Sequence, residues 1–389
     1  MTDVKKYAFF FPVDKDLSLT GGPRTVVNLL TGLQSAGHGV VLLSQRESAL
    51  TEELRSRGVA AEVVTLPDIL DVHDEQAMDY SLPRKAKSLF ELLKYNQRIA
   101  TRCRKHEVDG LWARQIKGIL LVGIAARFLE VPLIWDMGYE KPPRGLMRVL
   151  HWIGLGLATR IVTQSKRQFP ETFGSQIERL VGHKVDHIYP GISEERQAAL
   201  RAAAKNGAGK PRTVLTIGNI HPRKNQAMAI RALAPLLRST SNLRLAVVGA
   251  VRDQAYYQDL RTLVGDENLS EVVDFLGWRD DIPALLGRSG LLVLSSRREG
   301  IPHVVREAMF AEVPVVATRV GGVPESVRHG ETGYLVDPHD EEALREHTAR
   351  LLHDPDLRRT TGENAVTFAR DRFSRSAWIE AYSNVIEST

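Results

Sequence analysis

Short apolar runs alternate with amphipathic stretches along almost the whole chain. In the first half, Tyr7 to Phe11, Val40 to Leu43, Ala61 to Thr65, Gly110 to Ala113, Leu133 to Trp135 and Ile161 to Thr163 read as buried strands. Between the first two, Val26, Val27, Leu29, Leu30 and Leu33 recur at helical spacing up to Gly37-His38-Gly39, which makes a βαβ unit. In the second half, Thr213 to Ile217, Leu243 to Val248, Val272 to Phe275, Leu291 to Leu294, Pro314 to Ala317 and Tyr334 to Val336 repeat the pattern. Strands alternating with helices predict parallel sheets covered on both faces, so the expected class is α/β with two Rossmann-like domains.

At 389 residues the chain exceeds one ordinary core, in keeping with two domains of roughly 150 to 200 residues. Ile188-Tyr189-Pro190-Gly191 reads as a closing turn, and Glu194 to Pro211, charged, alanine-rich and then glycine-rich, has the composition of a linker. The expected division is therefore a first domain over 1–193, a linker over 194–211, a second domain over 212–372 and a C-terminal helix over 373–389. That helix carries Trp378 and Tyr382 and is expected to pack back toward the first domain.

The stretch Glu299 to Met309, EGIPHVVREAM, follows the run LLVLSS after Arg297 and Arg298. It reads as strand, turn and helix, with Pro302 at the first helical position. The backbone N–H groups of His303, Val304 and Val305 would then face an anion, assisted by the helix dipole. Glu299 lies on the turn and Glu307 inside the helix, so two carboxylates flank an anion site. A nucleotide sugar offers both phosphate and hydroxyl groups to such a site.

A second candidate follows the strand Thr213 to Ile217. In Gly218-Asn219-Ile220-His221-Pro222-Arg223-Lys224, Lys224 supplies a point charge and Arg223 a planar fork for a diphosphate; a surface turn is the competing reading. Phe275-Leu276-Gly277-Trp278-Arg279 follows another strand and is placed to frame a base, with core packing the equal alternative for Trp278. In the first domain the loop Asp14 to Arg24 contains Gly21-Gly22, a weak ligand-loop signal for which a plain turn serves equally. Asp71-Val72-His73-Asp74 reads as a solvated loop and Arg279-Asp280-Asp281 as a helix start, so no metal site is expected.

Charge changes this picture in one place. The net charge is +5, yet between Arg84 and Arg167 there are 17 Lys and Arg against 6 Asp and Glu, leaving the remainder acidic. Two basic amphipathic stretches lie there. One runs from about Arg84 to His106 with Leu89, Leu92, Leu93 and Ile99 on its apolar side. The other runs from Arg144 to Arg160 and contains Leu146, Met147, Val149, Leu150, Trp152, Ile153 and Leu157. Solvated faces and core packing compete with contact to an anionic membrane surface or acceptor. Aromatic and basic residues do not interleave on one element, which argues against nucleic acid. The single cysteine, Cys103, excludes an internal disulfide. With no signal-peptide pattern and no apolar run near 18 residues, the expected location is cytoplasmic, peripheral on the inner face of the membrane.

The ordered set of Gly218 to Lys224, EGIPHVVREAM, PVVATRVGGVPE and HGETGYLV resembles the C-terminal domain of the retaining glycosyltransferases of family 4, with GGPRTVVNLLTGLQSAGHGVVLLS similar to the family's opening. The resemblance implies the GT-B fold, two Rossmann-like domains facing each other across a cleft, and transfer of a sugar from a nucleotide diphosphate sugar to a glycan or lipid-linked acceptor. It implies that Glu307 holds the ribose hydroxyls and that Glu299 contacts the donor sugar. Lys224 and the backbone around Pro302, His303 and Val304 would bind the diphosphate. The catalytic candidates are Glu299, Lys224 and Asp136, the last standing where the family often has a His. The donor-binding candidates are Gly21, Gly22, Asn219, Arg223, Lys224, Arg279, Glu299, Gly300, Ile301, Pro302, His303, Val304 and Glu307. Asn219 departs from the family's usual Arg, and Arg223 is the nearby substitute. No cofactor beyond the nucleotide sugar is implied, and the resemblance adds retention of configuration, with the departing phosphate helping to deprotonate the acceptor. An epimerase or hydrolase on the same fold, and a basic binding protein without catalysis, are the competing readings. A dinucleotide oxidoreductase is disfavoured because Gly154-Leu155-Gly156 lacks the third glycine.

Overall fold

The computed structural model describes residues 4–12, 22–71, 81–138, 143, 145–206 and 213–389. The chain divides into two compact units, one of residues 1–188 with 379–389 and one of residues 189–378.

In the first unit, β1 (Lys6–Phe10), β2 (Gly39–Ser44), β3 (Ala60–Val63), β4 (Gly110–Arg114), β5 (Leu133–Asp136), β6 (Arg160–Thr163) and β7 (Val185–His187) form one sheet in the order β3-β2-β1-β4-β5-β6-β7. Every pairing is parallel. The strands are apolar on both faces because helices cover both, as in GVVLLS, where all but the first residue are buried. One face packs against the helices Leu82–Lys105, Gln115–Leu129 and Leu146–Leu157 through Tyr95, Ile99, Ile119, Val122 and Leu155. In the same unit, Tyr382 stacks on Trp112 at 4.7 Å between ring centroids, and Trp112 on Phe9 at 5.5 Å.

In the second unit, β8 (Thr213–Ile217), β9 (Arg244–Val248), β10 (Val273–Gly277), β11 (Leu291–Leu294), β12 (Val315–Thr318) and β13 (Tyr334–Val336) form a parallel sheet in the order β10-β9-β8-β11-β12-β13. The order reverses between β8 and β11. Loops leaving the carboxyl ends of those two strands diverge to opposite faces, and the crevice between them is where open α/β sheets bind ligands.

The expected strands are present, most within one or two residues of their predicted ends. The three-residue β7 is an addition. The stretch read as a linker is a correction: Glu194–Asn206 is a helix of the second unit, and residues 207–211 lie outside the described residues. EERQAALRAAAK is composed almost wholly of strong helix formers, and this outweighs its low hydrophobicity. Leu200 is buried, and Gly287 in the helix Ile282–Gly287 approaches it so closely that an added Cβ would stand 2.5 Å from the Ala203 carbonyl oxygen.

This contact makes a prediction. Gly287→Ala forces the two helices apart and destabilises the second unit by about 1 to 3 kcal/mol, the usual range for overpacking. Urea unfolding should show a lower midpoint at unchanged slope; an unchanged midpoint would mean that Glu194–Asn206 is not packed here.

Candidate functional site

The two loops predicted to carry chemistry meet at the reversal point of the second sheet. After β8, the backbone bonds Gly218 N–H to the Val248 carbonyl and Ile220 N–H to the Ala250 carbonyl, both at 2.8 Å, so the turn is stitched to the end of β9. Lys224 N–H donates to the His221 carbonyl at 2.8 Å, and Asn225 follows in the left-handed conformation at φ +51°. Lys224 is thereby aimed back across the sheet edge. Its Nζ lies 2.6 Å from Glu299 Oε1, and Ser296 Oγ donates to the same oxygen at 2.6 Å. Glu299 is 7% exposed, and these two donors supply the hydrogen bonds that its buried side chain needs. Ser296 belongs to no motif; its place two residues after a buried strand is the only sequence signal it gives.

Glu299 is also fixed through its backbone. Its carbonyl accepts from Gly322 N–H at 3.4 Å, and Gly321 has φ +49°. A Cβ on Gly321 would fall 1.8 Å from the Glu299 carbonyl oxygen. Only glycine permits this approach of the β12 loop to the β11 loop.

Pro302 stands one position earlier than expected. It is the N-cap of the helix His303–Phe310 rather than its first residue, with extended φ/ψ and no side-chain cap hydrogen bond. The first-turn N–H groups of this eight-residue helix therefore receive no side-chain cap, as an anion site requires. Gly300 and Ile301 form the turn before it, and Ile301 is buried at 8% exposure. Arg306, fully buried, donates to the carbonyls of Pro190 and Gly191 and anchors the back of the helix; burial pushes its guanidinium down to about 10.

Glu307, 4% exposed, is met from two sides. Arg196 places Nε and Nη2 each 2.6 Å from Oε1, and His303 Nδ1 stands 3.3 Å from Oε2. Burial raises the carboxyl pKa, but the His303 imidazole and the Arg196 guanidinium more than offset this and hold Glu307 below the ordinary glutamate range. Arg196 is the permanent partner, because a guanidinium is charged at every working pH and an imidazole only when protonated. Nothing in the motif pattern pointed to Arg196, which lies in the stretch read as a linker.

The remaining candidates are dispersed. Asn219 and Arg223 are exposed on the β8 turn, and the Arg223 carbonyl accepts from Arg297 N–H at 2.8 Å. Arg279 pairs with Asp281 through bonds of 2.8 and 2.7 Å. Trp278 is 67% exposed, which removes the packing alternative. In the first unit Asp136 ends β5 at 1% exposure, accepting from Gly138 N–H at 3.1 Å and Tyr382 Oη at 3.3 Å. Gly22 opens the helix Gly22–Ser35. Gly21, Arg144 and Val72 to Asp74 lie outside the described residues, and Asp71 pairs with Arg46 at 2.6 Å.

Residues 200–368 match the family model of glycosyl transferases group 1. The match covers less than half of the chain. The first half lies largely outside the matched segment. An N-acetyl-alpha-D-glucosaminyl L-malate synthase of Bacillus anthracis is 31% identical over 172 residues, 44% of either chain. A GDP-mannose-dependent alpha-(1-6)-phosphatidylinositol monomannoside mannosyltransferase of Mycolicibacterium smegmatis is 28% identical over 273 residues, 64% of this chain and 69% of that one. The matched segment thus spans less than half of the first relative. Among solved structures, Anabaena HepE in complex with UDP aligns with 99% of this chain and 100% of its own at TM-score 0.76 and 20% identity. A Rickettsia africae glycosyltransferase aligns over 98% of both chains at TM-score 0.78 and 18% identity. The fold is that of the GT-B glycosyltransferases, two parallel α/β sheets in one chain.

The glycine contact gives the prediction specific to this site. Gly321→Ala displaces the Glu299 carbonyl, and with it the turn carrying Glu299. The variant should unfold at a lower urea midpoint, by about 1 to 3 kcal/mol, the usual range for overpacking; an unchanged midpoint would show that the β12 loop does not press on the Glu299 turn.

Proposed function

We propose that the chain is a retaining glycosyltransferase that moves a sugar from a nucleotide diphosphate sugar to a hydroxyl of a glycan or lipid-linked acceptor in cell-surface polysaccharide or lipopolysaccharide biosynthesis. One observation carries the reading. Within the family-matched segment, Lys224, Glu299, Glu307 and the uncapped start of His303–Phe310 converge at the sheet's reversal point. HepE has been solved with UDP, with UDP and glucose, and with UDP-glucose, which supports a nucleotide sugar as donor.

In this reading the diphosphate lies over the N–H groups of His303 and Val304, with Lys224 and Arg223 as its cations. Glu307 accepts the ribose hydroxyls and Glu299 faces the sugar. Breaking the sugar–phosphate bond gathers negative charge on the diphosphate and positive charge on the anomeric carbon. Preorganised N–H groups and Lys224 stabilise the first and Glu299 the second, without need of a metal. The departing phosphate takes the acceptor proton, so the acceptor approaches from the leaving-group face and configuration is retained. Asp136, already engaged by Gly138 and Tyr382, orders the end of β5 and enters the reaction only through that order.

Lys224→Ala is expected to lower kcat by about 10² to 10³, the usual loss for a removed charge-stabilising donor, and Glu307→Ala to raise the donor KM most. A coupled assay for nucleoside diphosphate release, run with and without acceptor, reads both. Wild-type turnover in the two variants overturns the proposal, and acceptor-independent release would make the protein a hydrolase.

The first unit's proposed partner is an anionic membrane surface at the inner face of the cell membrane, where a lipid-linked acceptor would reside. In support, Leu146, Val149, Trp152 and Ile153 are 41 to 52% exposed on the helix Leu146–Leu157, beside exposed Arg148. Leu89, Phe90 and Leu93 are 43 to 57% exposed on Leu82–Lys105 among Lys85, Lys87 and Lys94. Both helices begin at the carboxyl edge of one sheet and pack on the same core face. Exposed apolar side chains ringed by cations suit the boundary of an anionic bilayer. No helix among the described residues is long and apolar enough to cross a membrane.

Flotation with vesicles of phosphatidylcholine alone and of phosphatidylcholine mixed with phosphatidylglycerol tests this. Binding should require the anionic lipid, weaken with salt and fall in Trp152→Ser/Ile153→Ser; equal partition onto both vesicle types would remove the membrane from the proposal.

A further inference from the structure

One charged side chain at the site belongs to no motif. Arg196 projects from the first turn of Glu194–Asn206, and that turn is tightly held. Arg196 N–H donates to Ser193 Oγ at 3.3 Å, and Gln197, 6% exposed, donates through Nε2 to the Ile192 carbonyl at 2.7 Å. From this fixed base, Nε and Nη2 both reach the same oxygen of Glu307, Oε1, at 2.6 Å. Oε2 meets only the imidazole of His303 at 3.3 Å among the described residues, and that side chain is 61% exposed.

We infer that Arg196 is a positioning residue for the nucleotide: it pins Oε1 of Glu307 so that Oε2 is presented to the ribose hydroxyls. The inference rests on the reading that Glu307 holds the ribose. A buried carboxylate without its partner either takes up a proton or turns toward the remaining cation, and in both cases loses its aim. Two N–H groups converging on one oxygen leave the other to the exposed His303 imidazole alone, so that it keeps lone-pair capacity for an incoming ribose hydroxyl. Lysine at this position retains the charge without the fork, so it restores ionisation but not orientation. Because ribose is held alike before and during bond breaking, the effect belongs in donor affinity and KM, with kcat little changed.

The test compares ribose with a sugar lacking its hydroxyls. Calorimetric titration of wild type, Arg196→Ala, Arg196→Lys and Glu307→Ala is carried out with UDP, GDP and ADP, each beside its 2′,3′-dideoxy counterpart, and the tightest pair is carried through the series. Wild type should prefer the ribonucleotide. Arg196→Ala should bind the ribonucleotide about tenfold more weakly, a change of about 1.4 kcal/mol, bind the dideoxynucleotide as wild type does, and Arg196→Lys should fall between. Equal weakening toward both nucleotides, or a wild-type ribose preference surviving in Arg196→Ala, overturns the inference alone. If Arg196→Ala does not fold, Arg196→Lys and Arg196→Gln carry the same comparison. Absence of any ribose preference in wild type, or binding of none of the nucleotides, overturns the ribose role of Glu307 and the inference with it.

Discussion

A lysine at the end of one loop and a glutamate at the start of another stand 2.6 Å apart at the reversal point of the second sheet. Much of the local architecture serves that pair. Lys224 is 17% and Glu299 8% exposed by side chain, so neither charge is well hydrated. Separation would leave each desolvated without a partner, a far larger cost than an exposed ion pair would incur. The surrounding structure therefore prevents separation. Ser296 gives Glu299 a second donor, Ser295 Oγ holds the Asn225 carbonyl at 2.8 Å, and Thr318 Oγ1 from the end of β12 holds the Ser296 carbonyl at 2.6 Å. Three neighbouring strand ends are locked together by small hydroxyl side chains, which fit where a larger polar residue would intrude.

A site prepared in this way has its charges in place before a ligand arrives. In the proposed reaction the lysine has two roles that compete, neutralising Glu299 and meeting the diphosphate. With three N–H donors, Lys224 can do both without moving far. Glu307 is organised on the same plan one turn further along, by a guanidinium from a different helix. The two carboxylates of EGIPHVVRE are thus each paired with one cation from outside the motif. A motif consisting of carboxylates alone would be electrostatically unstable in so buried a setting, and the lysine and arginine that resolve this lie 75 and 111 residues away in sequence.

That separation explains what could be read from the sequence. Apolar runs such as LLVL and TVLTI give the parallel sheets almost residue for residue, because strands buried on both faces have no other composition open to them. Lys224 stands out in the sequence because it closes a loop at a strand end, the edge at which open α/β sheets bind ligands. Arg196 does not. Its stretch is low in hydrophobicity and rich in alanine and charge, which a linker and a surface helix share, and only the burial of Leu200 and the approach of Gly287 distinguish them. Ser296 and Gly321 were hidden for a related reason: their importance lies in distances to Glu299, and serine and glycine near a turn are unremarkable by composition. Trp278 went the other way, since a tryptophan after a strand is usually packed and this one is exposed.

The first unit shows the same contrast between chemistry and order. Asp136 ends β5 where the carboxyl edge would present a reactive group, yet its oxygens are taken by Gly138 N–H and by Tyr382, whose ring stacks on Trp112. A carboxylate at 1% exposure, beneath a stacked aromatic pair, joins the C-terminal residues 379–389 to the sheet edge. The polar end of Tyr382 needs an acceptor once its ring is buried, and Asp136 supplies it. The residue chosen from sequence as a catalytic candidate is therefore explained by packing, while the helices on the same sheet leave Leu146, Val149, Trp152 and Ile153 exposed. In this unit the apolar surface left uncovered, more than the buried charge, is the feature that packing does not explain.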